Sequence, residues 1–119
     1  MVSFLKKYVR KFHYAFQGLF HGITHDKSIL LQCLLGASVI ADFAFLDLSI
    51  MEWSIVVLLI GIIITLEFIN SAIETIVDFI SPQYSEQAKI IKDYAAAAVL
   101  VMSIAAAVIA LLILKGKLL

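Results

Sequence analysis

"WSIVVLLIGIIITLEFINSAIETIVD", residues Trp53 to Asp78, joins two kinds of helix in one run. Its first half, Trp53 to Thr65, carries no charge and reads as lipid-facing helix. Glu67, Asn70, Glu74 and Asp78 then follow at spacings of three, four and four. Residues three and four apart share a helix face, so three carboxylates and an amide form one stripe, with Ser71 flanking it. Ionisable groups inside a membrane helix are costly and mark function by default. Solvation at a helix end accounts for Asp78 but not for Glu67, because Ile73, Ile76 and Val77 continue the apolar pattern beyond it.

Working outward, the rest of the chain supports a membrane reading. The 119 residues are 63% hydrophobic, against roughly half for a soluble domain. Mean hydropathy is +1.06. Net charge is zero, so no basic tail advertises nucleic acid. Cys33 is the only cysteine, which excludes an internal disulfide and a multi-cysteine metal site and leaves it a packing role. The expected fold class is all-α integral membrane, a single domain over 1–119. It comprises an amphipathic surface helix at 3–24 and transmembrane spans at 28–47, 50–80 and 88–115.

The N-terminal helix interleaves Phe4, Leu5, Tyr8, Phe12, Phe16 and Leu19 with Lys6, Lys7, Arg10 and Lys11. That pattern suits the headgroup region and lacks the order of a signal peptide. His13, His21 and His25 read as interfacial on the same helix. "LDLS" at 46–49 reads as a tight connection, and "ISPQYSEQAK" at 80–89 as the one real loop, with Pro82 ending the helix before it. Alanines at 95–98 and 105–107 allow close helix approach. At ~1.5 Å per residue the second span outruns a bilayer core of ~30 Å, so its acidic end emerges near the headgroups. Six cations, Lys6, Lys7, Arg10, Lys11, Lys89 and Lys92, flank that end, while the 42–52 connection has only Asp42, Asp47 and Glu52. The positive-inside rule then puts the N-terminus and the acidic stripe in the cytoplasm of a multi-pass plasma-membrane protein, with Lys115 and Lys117 running against it.

Carboxylates clustered near cations at such a surface suit a divalent metal and phosphates, since Mg²⁺ is usually held by one or two carboxylates plus substrate phosphates. A deeper, less hydrated carboxylate is suited to take a proton from a hydroxyl, and Glu67 is the deeper one. Lys92 offers a cation for phosphate oxygens. No glycine-rich phosphate loop exists, which excludes a soluble kinase fold.

"LEFINSAIETIVD" (66–78) followed by "KDYAAAAVL" (92–100) resembles the double signature of the prokaryotic diacylglycerol kinase family, which includes the undecaprenol kinases of Gram-positive bacteria. Glu67, Asn70, Ser71, Ala72, Ile73, Glu74, Asp78, Lys92, Asp93, Ala98 and Val99 match its pattern, and the resemblance covers nearly the whole chain. It implies a small homotrimeric kinase that uses Mg²⁺ and ATP to phosphorylate a membrane lipid alcohol, with sites formed between neighbouring protomers. By position it implies that Glu67 is the general base for the lipid hydroxyl. Asp26 and Glu74 become metal and nucleotide ligands. Tyr14, Ser85, Lys92 and Asp93 contact the nucleotide, and Asn70, Ser71 and Ala96 line the site.

One stretch departs from the family. Where it carries glutamate, then Arg-Asn and a histidine four residues after the Asn, this chain reads Asp26-Lys27-Ser28, ending at Gln32. Asp26 keeps the carboxylate but shortens it by one methylene. Restoring glutamate is therefore expected to raise the apparent Mg²⁺ affinity or leave it unchanged. "LDLSIMEW" (46–53) resembles the Gram-positive branch, which favours undecaprenol over diacylglycerol as substrate. Few hydrogen-bond donors, Ser28, Gln32, Trp53 and Ser71, stand ready for ester carbonyls, which agrees. The rival of another class is a non-enzymatic membrane subunit or ion carrier using the carboxylates as a proton or cation path.

Overall fold

The computed structural model describes every residue from Met1 to Leu119. Four helices follow in order: α1 Val2–His25, α2 Lys27–Phe43, α3 Ile50–Ile80 and α4 Glu86–Leu118. There is no strand. α3 and α4 form a long antiparallel pair, α2 packs on α3, and α1 meets α2 at the corner between them. The result is a flat layer, 52 × 48 × 23 Å.

Local chemistry sets the breaks. Asp26 adopts an extended conformation between α1 and α2, gives its backbone N–H to Gly22 O, and caps α2 with its side chain. Ser49 opens α3 with a capping box: its Oγ accepts the Glu52 N–H at 3.1 Å, and Glu52 Oε1 accepts the Ser49 N–H at 2.9 Å. Such a cap contributes ~1 kcal/mol. α3 stops at Ile80, two residues before Pro82, and Ser85 caps α4 by accepting the Ala88 N–H. α2 ends at Phe43, short of the expected 47, because the chain must turn there. Asp47 sits at φ 40°, a left-handed conformation that aspartate tolerates better than most residues, and Leu48 tucks into the core.

Only ten of 119 residues are buried, too few to hold a water-soluble globule of this size. Large apolar side chains such as Leu58, Leu100, Val101, Leu111 and Leu112 stand exposed along α3 and α4. Both helices are long and apolar enough to cross a membrane. α2, at 17 residues, rises only ~26 Å. In lipid, helices associate through close packing rather than water exclusion. The chain meets that need at Gly36, where an added Cβ would lie 2.8 Å from Ile60 Cγ2. The small core of Phe43, Leu48 and Val56 lies at the end opposite the acidic stripe. There Lys117 Nζ closes the bundle, reaching Glu52 Oε1 at 2.8 Å and donating to Asp47 O at 3.0 Å.

Candidate active site

α3 carries the stripe as a gradient from burial to water. Glu67 is 6% exposed and Asn70 8%, whereas Glu74 and Asp78 are exposed. The buried positions Val56, Glu67, Asn70 and Val77 all lie on the inward side of α3, so the same periodicity that packs the helix aims the polar groups. Asn70 Nδ2 faces Glu74 Oε1 at 3.5 Å, and Asn70 Oδ1 is buried with no donor. A buried amide oxygen without a partner is costly and marks a place for a ligand.

The α1–α2 corner brings a further carboxylate to the stripe. Asp26 Oδ2 accepts the Ser71 hydroxyl at 2.6 Å, across 45 residues of sequence. Its Oδ1 accepts the Ser28 and Ile29 N–H groups at 2.9 and 3.1 Å. The Ser71 hydroxyl, and then those two N–H groups, hold the Asp26 carboxyl below the usual carboxylate range. The charges of Asp26 and Glu74 both bear on Glu67.

Cations line the other wall. Lys92 Nζ bridges α4 to α3 by donating to Asp78 Oδ1 at 2.5 Å, and Lys89 Nζ donates to Asp93 Oδ2 at 2.6 Å. These two pairs border a cavity of about 270 Å³, also lined by Ser81, Gln83, Tyr84 and Ser85. Ala96 stands exposed one turn along α4 from Lys92.

The structure thus gathers Asp26, Glu67, Asn70, Ser71 and Glu74 into one cluster, and Asp78, Ser85, Lys92 and Asp93 into its neighbour. Tyr14 joins neither within its own chain: it is 63% exposed on α1, about three turns before the corner, and its ring lies beside that of His13. Sequence reasoning missed the capping role of Asp26 and the pairing of Asp78 with Lys92. An Asp just before an apolar helical run is a readable cap signal; a partner 14 residues away is not.

All donors in the first cluster are oxygens, the set that suits a hard divalent cation. The orphaned Asn70 Oδ1 fits the same use. No group of three or more His, Cys, Asp or Glu side chains closes into a cage, so the chain offers only part of a coordination sphere.

Two helices fit to cross a bilayer, with a carboxylate cluster beside a cavity edged by two Lys–Asp pairs at one end, define a membrane protein built for charged chemistry at the lipid surface. A model of the family described as prokaryotic diacylglycerol kinase matches residues 13–114. The chain is 34% identical over 114 residues to the undecaprenol kinase of Bacillus subtilis, covering 96% of this chain and 93% of that protein. It is 32% identical over 99 residues to the diacylglycerol kinase of Synechocystis sp., covering 82% of this chain and 57% of that longer protein. The chain belongs to the prokaryotic diacylglycerol kinase family and is a membrane lipid kinase. The reading as a non-enzymatic subunit or ion carrier falls with that assignment.

Proposed function

We propose that this kinase transfers the γ-phosphoryl group of ATP to the hydroxyl of undecaprenol in a Mg²⁺-dependent reaction. The carrying observation is the gradient along α3, which sets a buried Glu67 about two turns from an exposed Glu74 and about three from Asp78 at the edge of the lysine-bearing cavity. A membrane alcohol arrives from the apolar side and a phosphate donor from water, and this gradient joins the two. Glu67 takes the proton as the lipid oxygen attacks the γ-phosphorus, whose bond to the β,γ-bridging oxygen breaks to release ADP. Glu74 and Asp26 would hold the cation, with Asn70 Oδ1 beside them. When bound there, the cation would supply charge neutralisation for the transferring phosphoryl group. Lys92 holds phosphate oxygens, exchanging part of its bond to Asp78 for them, and Asp93, Ser85 and Tyr14 contact the nucleotide. Ser71 and Ala96 line the site.

In this reading α2 is a third span, α1 lies on the membrane surface, and three chains assemble with the N-terminus and site in the cytoplasm. The exposed apolar arc of α1, including Phe4, Val9, Phe12, Phe16 and Phe20, supports its surface position. Undecaprenol is favoured by the Bacillus subtilis relative, matched over nearly its full length. Diacylglycerol is the second reading, favoured by the Synechocystis relative. The ratio of kcat/KM for undecaprenol and diacylglycerol in the same mixed micelles tests the choice. A ratio well above one is expected; a ratio below one overturns undecaprenol in favour of diacylglycerol.

A further inference from the structure

The Asp26 carboxylate does more than one job. Oδ1 accepts two backbone N–H groups, which fills both of its lone pairs and starts α2. Oδ2 accepts one hydroxyl, from Ser71, and keeps one lone pair. Ser71 in turn sits beside Asn70 and three residues before Glu74, on the helix that carries the acidic stripe. The corner touches α3 at a second point one turn away. There Gly22 packs so closely on Phe68 that an added Cβ would come within 2.4 Å of its Cε1. Packing of Gly22 and α2 on α3 brings the Asp26 backbone to the stripe, and the Ser71 hydroxyl is the one α3 side chain bonded to its carboxylate.

We propose that Ser71 is a positioning residue for the divalent cation: its hydroxyl pins Oδ2 of Asp26 so that the remaining lone pair is held ready beside Glu74. The proposal rests on the reading that Asp26 and Glu74 share that cation. It explains how an aspartate serves where its family carries the longer glutamate. A short side chain anchored at the helix start needs a donor on α3 to bring it to the stripe, and Ser71 is that donor. Partners that orient a metal ligand typically change affinity by ~10- to 100-fold when removed.

The test uses full-length protein in detergent micelles with a non-hydrolysable ATP analogue, and reads Mn²⁺ binding by electron paramagnetic resonance. Ser71→Ala should raise the Mn²⁺ dissociation constant about 10-fold. In turnover assays it should raise the Mg²⁺ concentration for half-maximal rate by a larger factor than it lowers kcat. Ser71→Thr keeps the hydroxyl and should restore affinity to within about threefold, which a purely packing role for Ser71 would not produce. Asp26→Asn still caps α2 but loses the charge, and should weaken Mn²⁺ at least as much. The double variant Asp26→Asn, Ser71→Ala should be no worse than Asp26→Asn alone, because the two act through one another. Should Ser71→Ala fail to fold, Ser71→Cys, nearly isosteric with a weak donor, carries the same expectation. Wild-type Mn²⁺ affinity in Ser71→Ala or Ser71→Cys, with affinity lost in Asp26→Asn, overturns the positioning role and leaves the metal reading standing. Wild-type affinity in Asp26→Asn removes Asp26 from the metal site and takes both down.

Discussion

On the proposed mechanism, Glu67 is the residue on which the chemistry turns. It is buried where its neighbours Glu74 and Asp78 are exposed, and removal of a positioned base lowers turnover by ~100- to 10,000-fold. Glu67→Gln keeps the shape and should lose turnover to that degree while binding the ATP analogue nearly as wild type. Wild-type turnover in correctly folded protein would remove Glu67 as the base. Asp26 gives a second prediction, and here the cap geometry argues for the opposite outcome from the family resemblance. Read against its family, Asp26→Glu repairs a departure. In the fold, aspartate is the N-cap of α2, and the longer side chain cannot reach the Ser28 and Ile29 N–H groups and Ser71 in the same geometry. Asp26→Glu should therefore destabilise the protein by ~1 kcal/mol and raise the Mg²⁺ requirement, read by thermal unfolding and by Mg²⁺ titration of the rate. A third prediction concerns acid. The Asp26 carboxyl titrates lower in the folded chain than in the unfolded one, where its value is ~4. Its contribution is complete above that value and is lost as pH falls through the lower, folded value. In metal-free micelles the unfolding temperature should drop below about pH 4, and more shallowly in Ser71→Ala, which starts without the bond.

At the scale of helices, close approach rather than core volume holds the layer together. Gly36→Ala puts a methyl group 2.8 Å from Ile60 Cγ2, on a β-branched side chain with little freedom to turn away. It should cost ~1–3 kcal/mol in unfolding measurements, while Gly116→Ala, with nothing within 4 Å, should be near neutral. Equal behaviour of the two would mean that α2 and α3 do not depend on this contact. Much of this level could be read from the sequence, because the signals are local. Pro82 marks the end of α3, the three-four periodicity aims Glu67 and Asn70 inward, and apolar length marks α3 and α4. What could not be read are pairings across elements. Lys117 looks like an exception to the charge bias, yet it is tied to Glu52 and the Asp47 carbonyl at the far end of the bundle. Lys92 stands next to Asp93 in sequence but bonds Asp78, since adjacent residues on a helix point in different directions. The Asp26–Ser71 bond spans 45 residues and needs the fold to bring it together.

For the whole molecule, the position of Tyr14 sets the question. The stripe and the cavity edged by Lys89 and Lys92 are formed by α3, α4 and the loop between them in one chain, whereas Tyr14 lies on a helix anchored only at its corner. Glu67 and Glu74 share one face of one helix, so on the proposed mechanism each chain supplies both. In a trimer, what a neighbour contributes is then α1 rather than part of the stripe. Co-assembling Glu67→Gln chains with Tyr14→Ala chains at equal ratio tests this. If α1 reaches the neighbouring site, about a quarter of the sites pair an intact Glu67 with an intact Tyr14, by random mixing in a cyclic trimer. At limiting ATP, activity should then rise above the average of the two parent proteins, toward about a quarter of wild type. Activity equal to that average, in trimers shown to be mixed, would mean that Tyr14 serves its own chain and that α1 folds back on it when nucleotide binds.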